Sequence, residues 1–310
     1  MGSDSSDTWN NYYIQINKIG EGEYGTVYKA IDRRTGNLVA IKKVQINSTF
    51  ESGIPSTSIR EITLLKSLQH PNIVFLEDVI VDENQLHLVF EFVNMNLKAC
   101  INNIPKGKLM DRAEQKSYLC QILQAVNFCH QRCVLHRDLK PENLLLNYRG
   151  GLKLANFSLG RTVNTPQTYS PEKSTTLFYK APELLLGYTR YTKEADMWSI
   201  GCIAAEMATK RVLLPGCSDM DQIFRIFSML STPSEETWKE FADLPEYSEA
   251  FHNWNKDYLP KILLHFMDAD GIKIVQQMIA YEPMKRISAK ELLKNPYFAS
   301  VPRAVFSVDD

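Results

Sequence analysis

The segment His136-Arg137-Asp138-Leu139-Lys140-Pro141-Glu142-Asn143 carries residue types that could transfer a phosphoryl group. The Asp138 carboxylate could accept the proton of a hydroxyl nucleophile, and Lys140 could steady the transferring phosphoryl group. Asn143 carries an amide oxygen of the kind that coordinates Mg²⁺. Every specified position of the pattern H-R-D-L-x-x-x-N is occupied at the spacing that this chemistry uses, so the segment predicts phosphoryl transfer to a hydroxyl.

A glycine-rich segment at residues 19–27 has the pattern G-x-G-x-x-G-x-V. Glycine lets the backbone approach a triphosphate closely. Dinucleotide-binding turns share part of this pattern, but there a helix follows the glycines. Here residues 26–30 continue with the residue types of a strand, so the segment is predicted to form a hairpin that closes over phosphates.

Lys42 follows in the next predicted strand, at the end of Val39-Ala40-Ile41-Lys42. A lysine in a strand is usually only a solvated charge, but its position after the glycine-rich segment favours phosphate binding. Glu61, in the helix that follows, can pair with it. Such a pair would hold the ammonium group against the α- and β-phosphates.

Two kinds of secondary structure must position these residues. Before about residue 95, β-rich runs at 12–19, 26–31, 38–44, 73–81 and 85–92 are separated by turn signals, and one helix is predicted from about 55 to 68. After residue 95 the apolar period becomes helical, and Asp111 with Glu114 and Ser288 with Glu291 have the spacing of N-terminal caps. The sequence therefore predicts a small sheet-rich lobe, about 11–93, and a larger helical lobe, about 94–302, with a flexible tail at 1–10 and another tail at 303–310. The boundary between the lobes is the expected place for a ligand.

Composition narrows the classes of function. The 310 residues include 35 Lys and Arg and 36 Asp and Glu, so the net charge of −1 gives no electrostatic argument for nucleic acid or an anionic membrane. No apolar run is long enough for a membrane span. The 6 cysteines form no C-x-x-C pair and are predicted to be free thiols in a reducing compartment. Gly2 and Ser6 fit a loose myristoylation pattern, with a disordered tail as the alternative.

Together these motifs resemble those of eukaryotic protein kinases over about residues 11–300. Ala181-Pro182-Glu183 is similar to the A-P-E motif, with Arg286 placed to pair with Glu183, and Phe90-Glu91-Phe92-Val93 resembles the gatekeeper and hinge. The resemblance implies an α+β, bilobal protein kinase fold with a small antiparallel-sheet lobe plus one helix and a large, mainly helical lobe. It also implies ATP and Mg²⁺ as cofactors.

The resemblance assigns roles to individual residues. The catalytic set that it implies is Asp138, Lys140, Lys42 and Thr176, and the implied metal ligands are Asn143 and Asn156. The implied nucleotide-binding set is Ile19, Gly20, Gly22, Gly25, Val27, Ala40, Lys42, Glu61, Phe90, Glu91, Val93, Asn96 and Leu145.

Pro55-Ser56-Thr57-Ser58-Ile59-Arg60-Glu61 resembles the PSTAIRE helix, where cyclins bind cyclin-dependent kinases, and differs from it only at Ser58. Residues 216–224 are similar to the G-D-S-E-I-D-Q-L-F segment of the same family, and the resemblance is closest to the mitotic type. It implies a cyclin as partner, a protein substrate if the chain is active, a small cell-cycle regulatory subunit as a further partner, and no direct contact with nucleic acid. It also implies location in the nucleus and cytoplasm.

Regulatory positions match as well. The arginines that surround an activation-loop phosphate in this family correspond to Arg60, Arg137 and Arg161. Ser170 is the best match to the phosphorylated residue, and Tyr24 keeps the inhibitory tyrosine of the glycine-rich segment. Within residues 168–180, polar residues replace the valines that shape the pocket for proline after the target residue, so proline-directed specificity stays open.

One departure bears directly on catalysis. Asn156-Phe157-Ser158 stands where the family has D-F-G. Asn156 keeps an oxygen ligand but lacks the negative charge beside a dication, and a charge pair ~4 Å apart is worth about 4 kcal/mol at an effective dielectric of ~20, or ~10³-fold in rate. Ser158 does not adopt a positive φ as freely as glycine, so we expect the loop to differ there. Asn96 likewise replaces an aspartate near the ribose.

Two functions are therefore open. The first is a cyclin-dependent Ser/Thr kinase in cell-cycle control that transfers the γ-phosphoryl group of ATP with impaired Mg²⁺ handling, as the retained Asp138 and Lys42 favour. The second is a catalytically dead pseudokinase that binds a cyclin as a scaffold or competitor, as Asn156 and Ser158 favour.

Overall fold

The computed structural model describes residues 8–22, 25–46, 54–82, 85–163 and 176–302. In the first part of the chain an antiparallel sheet has the strand order β1-β2-β3-β5-β4, in which the strands are β1 Tyr13–Gly22, β2 Gly25–Asp32, β3 Leu38–Gln45, β4 Leu76–Val81 and β5 Gln85–Glu91. Helix α1, Ser56–Ser67, lies against β4. In β3, Val39 and Ile41 are buried, as β-branched residues of a half-buried strand commonly are.

Strand β4 begins at Leu76, later than the predicted residue 73. The reason is that Ile73 and Val74 pair with Leu154, in the second half of the chain, instead of with β5. Ile73 forms a parallel bridge with Leu154, and the N–H of Val74 donates to the carbonyl of Leu154 at 2.9 Å. The prediction of strand there was wrong, and these residues connect the two lobes.

The described structure begins at Thr8, within the segment that the sequence predicted as a tail at 1–10. A 3-10 turn spans Thr8–Asn11, and Trp9 is buried against the sheet. Its ring stacks on His87 at a centroid distance of 5.3 Å, and the ammonium of Lys43 lies 3.8 Å from the centre of a Trp9 ring. An aromatic ring beside a cation is favourable, so this turn is part of the packed lobe.

The second part of the chain is mainly helical. Its helices are α2 Leu97–Asn103, α3 Arg112–Gln131, α4 Pro182–Leu185, α5 Lys193–Thr209, α6 Asp219–Leu230, α7 Leu259–Leu263, α8 Ala269–Met278 and α9 Ala289–Leu292. Its short strands are β6 Met95–Asn96, β7 Val134–Leu135, β8 Leu144–Leu146, β9 Leu152–Leu154 and β10 Arg161–Thr162. The order β6-β8-β9 makes one small sheet, and β7 pairs with β10. The predicted α+β architecture of two lobes is confirmed.

Both predicted caps are present. Asp111 caps α3 by accepting hydrogen bonds from the N–H groups of Ala113 and Glu114, and Ser288 and Glu291 form a capping box at α9. These bonds satisfy N–H groups that a helix leaves free at its start.

Helix α5 is the centre of the large lobe, and nearly all of its residues are buried. A Cβ on Gly201 would lie 2.5 Å from Ile279, so this glycine permits the close approach of the segment after α8. The predicted pair of Arg286 and Glu183 forms through two hydrogen bonds of 2.6 Å each, and both side chains are buried. A two-point pair of this kind fixes the chain before α9 against α4.

Among the described residues, no helix has the length and apolar character needed to cross a membrane.

Candidate active site

A cavity of about 360 Å³ lies between the small sheet and the β8–β9 region of the large lobe. This volume is in the usual range for small-molecule sites. Every residue that the sequence predicted to bind nucleotide lines it, as do the predicted metal ligands Asn143 and Asn156. The structure therefore brings together residues that are spread over much of the chain.

The cavity has four further lining residues that were not predicted from the sequence, Glu21, Val74, Glu142 and Ala155. Three of them adjoin predicted site residues, so their position in the motifs was a usable signal. Val74 had no such signal, because its place in the cavity wall depends on the hydrogen bond to Leu154.

Lys42 and Glu61 form the predicted ion pair, with 2.7 Å between Nζ and Oε2. Lys42 is 9% exposed and Glu61 is 2% exposed. Glu61 lies on the buried side of α1 with Ser58, Leu64 and Leu65, as helical spacing allows. Removing one partner of a buried pair costs ~3–5 kcal/mol, so the pair fixes the position of α1 against β3.

Asp196 of α5 binds the backbone of the segment that contains Asp138. The Asp196 carboxylate accepts hydrogen bonds from the N–H groups of His136 and Arg137, both at 3.1 Å, and lies 2.9 Å from His130 Nε2. Burial alone raises the pKa of Asp196, but the hydrogen bond and charge of His130 outweigh it, so the net pKa is below its usual value. The carboxylate therefore stays ionised and anchors this backbone.

His136 joins this segment to the one that carries Asn156. Its Nε2 lies 3.0 Å from the carbonyl oxygen of Ala155, and its ring meets the buried ring of Phe157 edge-on at 4.9 Å. Burial lowers the pKa of His136, so it is neutral and serves as a structural link.

Three of the four predicted catalytic residues, Asp138, Lys140 and Thr176, meet in one cluster, whereas Lys42 pairs with Glu61. Asp138 Oδ2 is 3.1 Å from Lys140 Nζ, which in turn donates to Thr176 Oγ1 at 2.9 Å. The Asn143 amide donates to the Asp138 carbonyl at 2.7 Å and to Asp138 Oδ2 at 2.9 Å. A carboxylate held beside an ammonium can take a proton from a hydroxyl while the ammonium stabilises nearby phosphoryl charge.

Asn156 completes the cluster with its amide nitrogen. Its Nδ2 lies 3.3 Å from Asn143 Oδ1 and 3.5 Å from Asp138 Oδ2, while its Oδ1 accepts a hydrogen bond of 2.7 Å from Ser158. The positive φ of this segment belongs to Asn156, at 65°, a conformation that asparagine tolerates better than most residues. Ser158 itself has no positive φ here.

The metal ligands that the sequence predicted are the side-chain oxygens of Asn143 and Asn156. Mg²⁺ takes oxygen ligands in near-octahedral geometry. Here the oxygens of Asn143 and Asn156 both accept hydrogen bonds from the chain, and an N–H group faces Asp138. In this arrangement the donor set does not fit Mg²⁺ on Asn143 and Asn156.

The hinge side of the cavity is held by Glu91 and Asn96. Glu91 Oε1 accepts from the N–H of Phe75 at 2.7 Å and pairs with Lys153 at 2.8 Å. Asn96 caps α2, because its Oδ1 accepts from the N–H of Ala99 at 2.8 Å. The residue predicted near the ribose thus uses its oxygen within the chain.

The predicted regulatory residues are only partly described. Pairing of β10 with β7 places Arg161 opposite Leu135, close in sequence to Arg137, and a Cβ on Gly160 would meet Leu64 of α1, the helix that carries Arg60. Tyr24 and Ser170 lie outside the described residues.

The two-lobed fold, the cavity between the lobes and the Asp138 cluster define a protein kinase domain. The family model of the protein kinase domain matches residues 13–298. The chain therefore belongs to the protein kinase family, whose domains generally bind ATP with Mg²⁺.

Proposed function

We propose that the chain is a cyclin-dependent Ser/Thr protein kinase in cell-cycle control, transferring the γ-phosphoryl group of ATP to protein hydroxyls slowly. The observation that carries this proposal is the assembled cluster in which Asp138 Oδ2 lies 3.1 Å from Lys140 and 2.9 Å from the Asn143 amide. In this arrangement the carboxylate and the ammonium are placed to act on a hydroxyl and on the phosphoryl group that it attacks.

Lys42, Asp138, Lys140 and Thr176 each have a task in that reaction. Lys42 of β3, paired with Glu61, binds phosphate oxygens in the cavity. Asp138 orients the substrate hydroxyl and accepts its proton, and Lys140 stabilises charge on the phosphoryl oxygens. Thr176, hydrogen-bonded to Lys140, holds that ammonium in place. The oxygens of Asn143 and Asn156 accept hydrogen bonds within the chain, so none of these tasks involves Mg²⁺.

A second function is favoured by the side chain of Asn156. Its N–H group faces Asp138 at 3.5 Å, where the family has a carboxylate. A pseudokinase that binds a cyclin as scaffold or competitor needs no metal-dependent transfer, so this contact supports it.

Transfer of phosphate to a Ser-Pro peptide by the cyclin-bound chain separates the two functions. We expect slow transfer that Asp138→Asn abolishes, with Asn147→Asp, a change in the turn between β8 and β9, as the control. Activity of the wild type that survives in Asp138→Asn belongs to a contaminant and contradicts the kinase function. A silent wild type favours the pseudokinase.

Cyclin binding is proposed at α1, where Ile59 is 52% exposed although the helix is otherwise anchored by Glu61. Ile59→Glu should abolish binding, because it would bury a charge in an apolar interface. Met284→Glu makes the same change at a residue that is 82% exposed in the large lobe and should bind normally. Normal binding by Ile59→Glu would contradict the cyclin site.

The remaining parts of the proposal rest on the resemblance to cyclin-dependent kinases. They are phosphorylation of Ser170 and Tyr24, binding of a small cell-cycle regulatory subunit, and location in the nucleus and cytoplasm. Phosphopeptide mapping and imaging of the tagged chain test them directly.

A further inference from the structure

The hydroxyl group of Ser158 has a specific task in the candidate site. Ser158 is 1% exposed, and its Oγ lies 2.7 Å from Asn156 Oδ1. A carbonyl oxygen accepts and cannot donate, so the hydroxyl is the donor of this hydrogen bond. The glycine that the family has at this position has no side chain that could make it.

The direction of the hydrogen bonds in this cluster follows from the acceptors of Asp138. Both its carbonyl and its carboxylate can only accept, so the Asn143 amide must present its NH₂ group to them. The oxygen of Asn143 is then left facing Asn156, at 3.3 Å from Nδ2.

That oxygen in turn decides how Asn156 is turned. If the Asn156 carboxamide were reversed, its oxygen would face the oxygens of Asn143 and Asp138, and three acceptors would meet without a proton between them. The NH₂ group therefore faces the reaction centre, and the Asn156 oxygen faces Ser158. The Ser158 hydroxyl satisfies that oxygen, which would otherwise be a buried acceptor without a donor.

The geometry points to Ser158 as a positioning residue that keeps the oxygen of Asn156 away from the cavity, so that the cavity binds ATP without a divalent cation. This inference rests on the proposed nucleotide-binding function and names its metal requirement. A carboxylate next to a triphosphate needs a cation between the two anions, whereas a neutral carboxamide does not. The Asn156 N–H contacts at 3.3 and 3.5 Å are long, so the NH₂ group has capacity left for a phosphate oxygen.

The test is the affinity of the full chain for ATP, measured by calorimetry in EDTA and in Mg²⁺ at constant ionic strength. We expect the dissociation constant of the wild type to differ by less than about 2-fold between the two conditions. Loss of a residue that orients a metal ligand, by comparison, changes metal affinity by ~10–100-fold. Ser158→Ala removes only the hydroxyl, so the Asn156 oxygen loses its donor. The carboxamide can then reverse when a divalent cation lies among the oxygens of Asn156, Asn143 and Asp138. In this variant the dissociation constant for ATP should be lower with Mg²⁺ than without it, by ~10-fold or more.

A matched control is Ser199→Ala, which removes another buried hydroxyl, one that donates to the carbonyl of Tyr179 at 2.7 Å. A merely structural loss would lower thermal stability in both variants, but only Ser158→Ala should acquire metal dependence. Binding of Mn²⁺ without nucleotide, followed by electron paramagnetic resonance, gives a second measurement and should increase in Ser158→Ala alone.

Several outcomes would overturn the inference. One is wild-type ATP affinity that rises ~10-fold or more with Mg²⁺, a measurement that needs no variant to fold. Another is the same Mg²⁺ response in wild type and Ser158→Ala. In both cases ATP still binds, so the proposed function stands. Absence of ATP binding in EDTA and in Mg²⁺ alike would overturn the proposed function and this inference together.

Discussion

Replacing Asn156 by aspartate should destabilise the chain in the absence of divalent cations. The new carboxylate would take the place of an amide nitrogen that lies 3.5 Å from Asp138 Oδ2 and 3.3 Å from Asn143 Oδ1. Two negative charges 3.5 Å apart repel by about 5 kcal/mol at an effective dielectric of ~20. Protonation and side-chain rotation relieve part of this, so the free energy of unfolding should fall by up to about 5 kcal/mol in EDTA at pH 8.

The pH dependence of this loss has a definite sign. Like charges raise the pKa values of a carboxyl pair in the folded protein above those of the unfolded chain. The folded variant therefore binds a proton more readily, and its stability relative to wild type should recover as the pH falls from 8 towards 5. Mg²⁺ at pH 8 should restore stability in the same way, because a cation between the carboxylates removes the repulsion.

Urea unfolding in EDTA and in Mg²⁺, at pH 8 and pH 5, measures these effects. Asn147→Asp is the matched control, since its side-chain oxygen accepts from the N–H groups of Arg149 and Gly151 and an aspartate can keep both bonds. The reasoning is refuted if Asn156→Asp is as stable as wild type in EDTA at pH 8. It is equally refuted if neither acid nor Mg²⁺ reverses the loss, because the amide would then not face Asp138.

Three further predictions concern stability and are checked by urea unfolding. Arg286→Leu should cost ~3–5 kcal/mol by leaving Glu183 buried without its partner, and a loss below 1 kcal/mol would contradict this. Burial lowers the pKa of His70 to about 4, whereas an unfolded histidine has a pKa of ~6.5. Wild-type stability should therefore fall between pH 6.5 and pH 4 more steeply than that of His70→Gln, and parallel curves would contradict this assignment. Trp9→Ala should cost about 3 kcal/mol through the lost packing on His87, and an unchanged variant would place Trp9 outside the packed lobe.

Much of this protein could be predicted from short stretches of its sequence. The segment around Asp138, the glycine-rich hairpin and the helix that carries Glu61 were each recognisable because they depend on neighbouring residues and on local periodicity. Helix α1 was predicted from about 55 to 68 and spans Ser56–Ser67. The replacement at Asn156 was visible too, since a motif is read position by position.

Some contacts between distant segments were not predicted from the sequence. Ile73 and Val74 have strand-forming side chains, and the sequence alone did not indicate that Leu154 would take their hydrogen bonds. Trp9 lies in a polar stretch of the sequence, and it is buried because it packs on His87 and Lys43 of the sheet. Both cases involve contacts between residues far apart in the chain, which periodicity does not encode.

The sequence by itself determined which side chains are available to the site, including the loss of a carboxylate at Asn156. Only the tertiary structure decided which way the Asn156 carboxamide is turned, and so whether it offers an oxygen or an N–H group to the cavity. That choice depends on Asp138, Asn143 and Ser158 together. A carboxamide has a donor and an acceptor side of nearly equal shape, so only the partners that folding places around it can distinguish them.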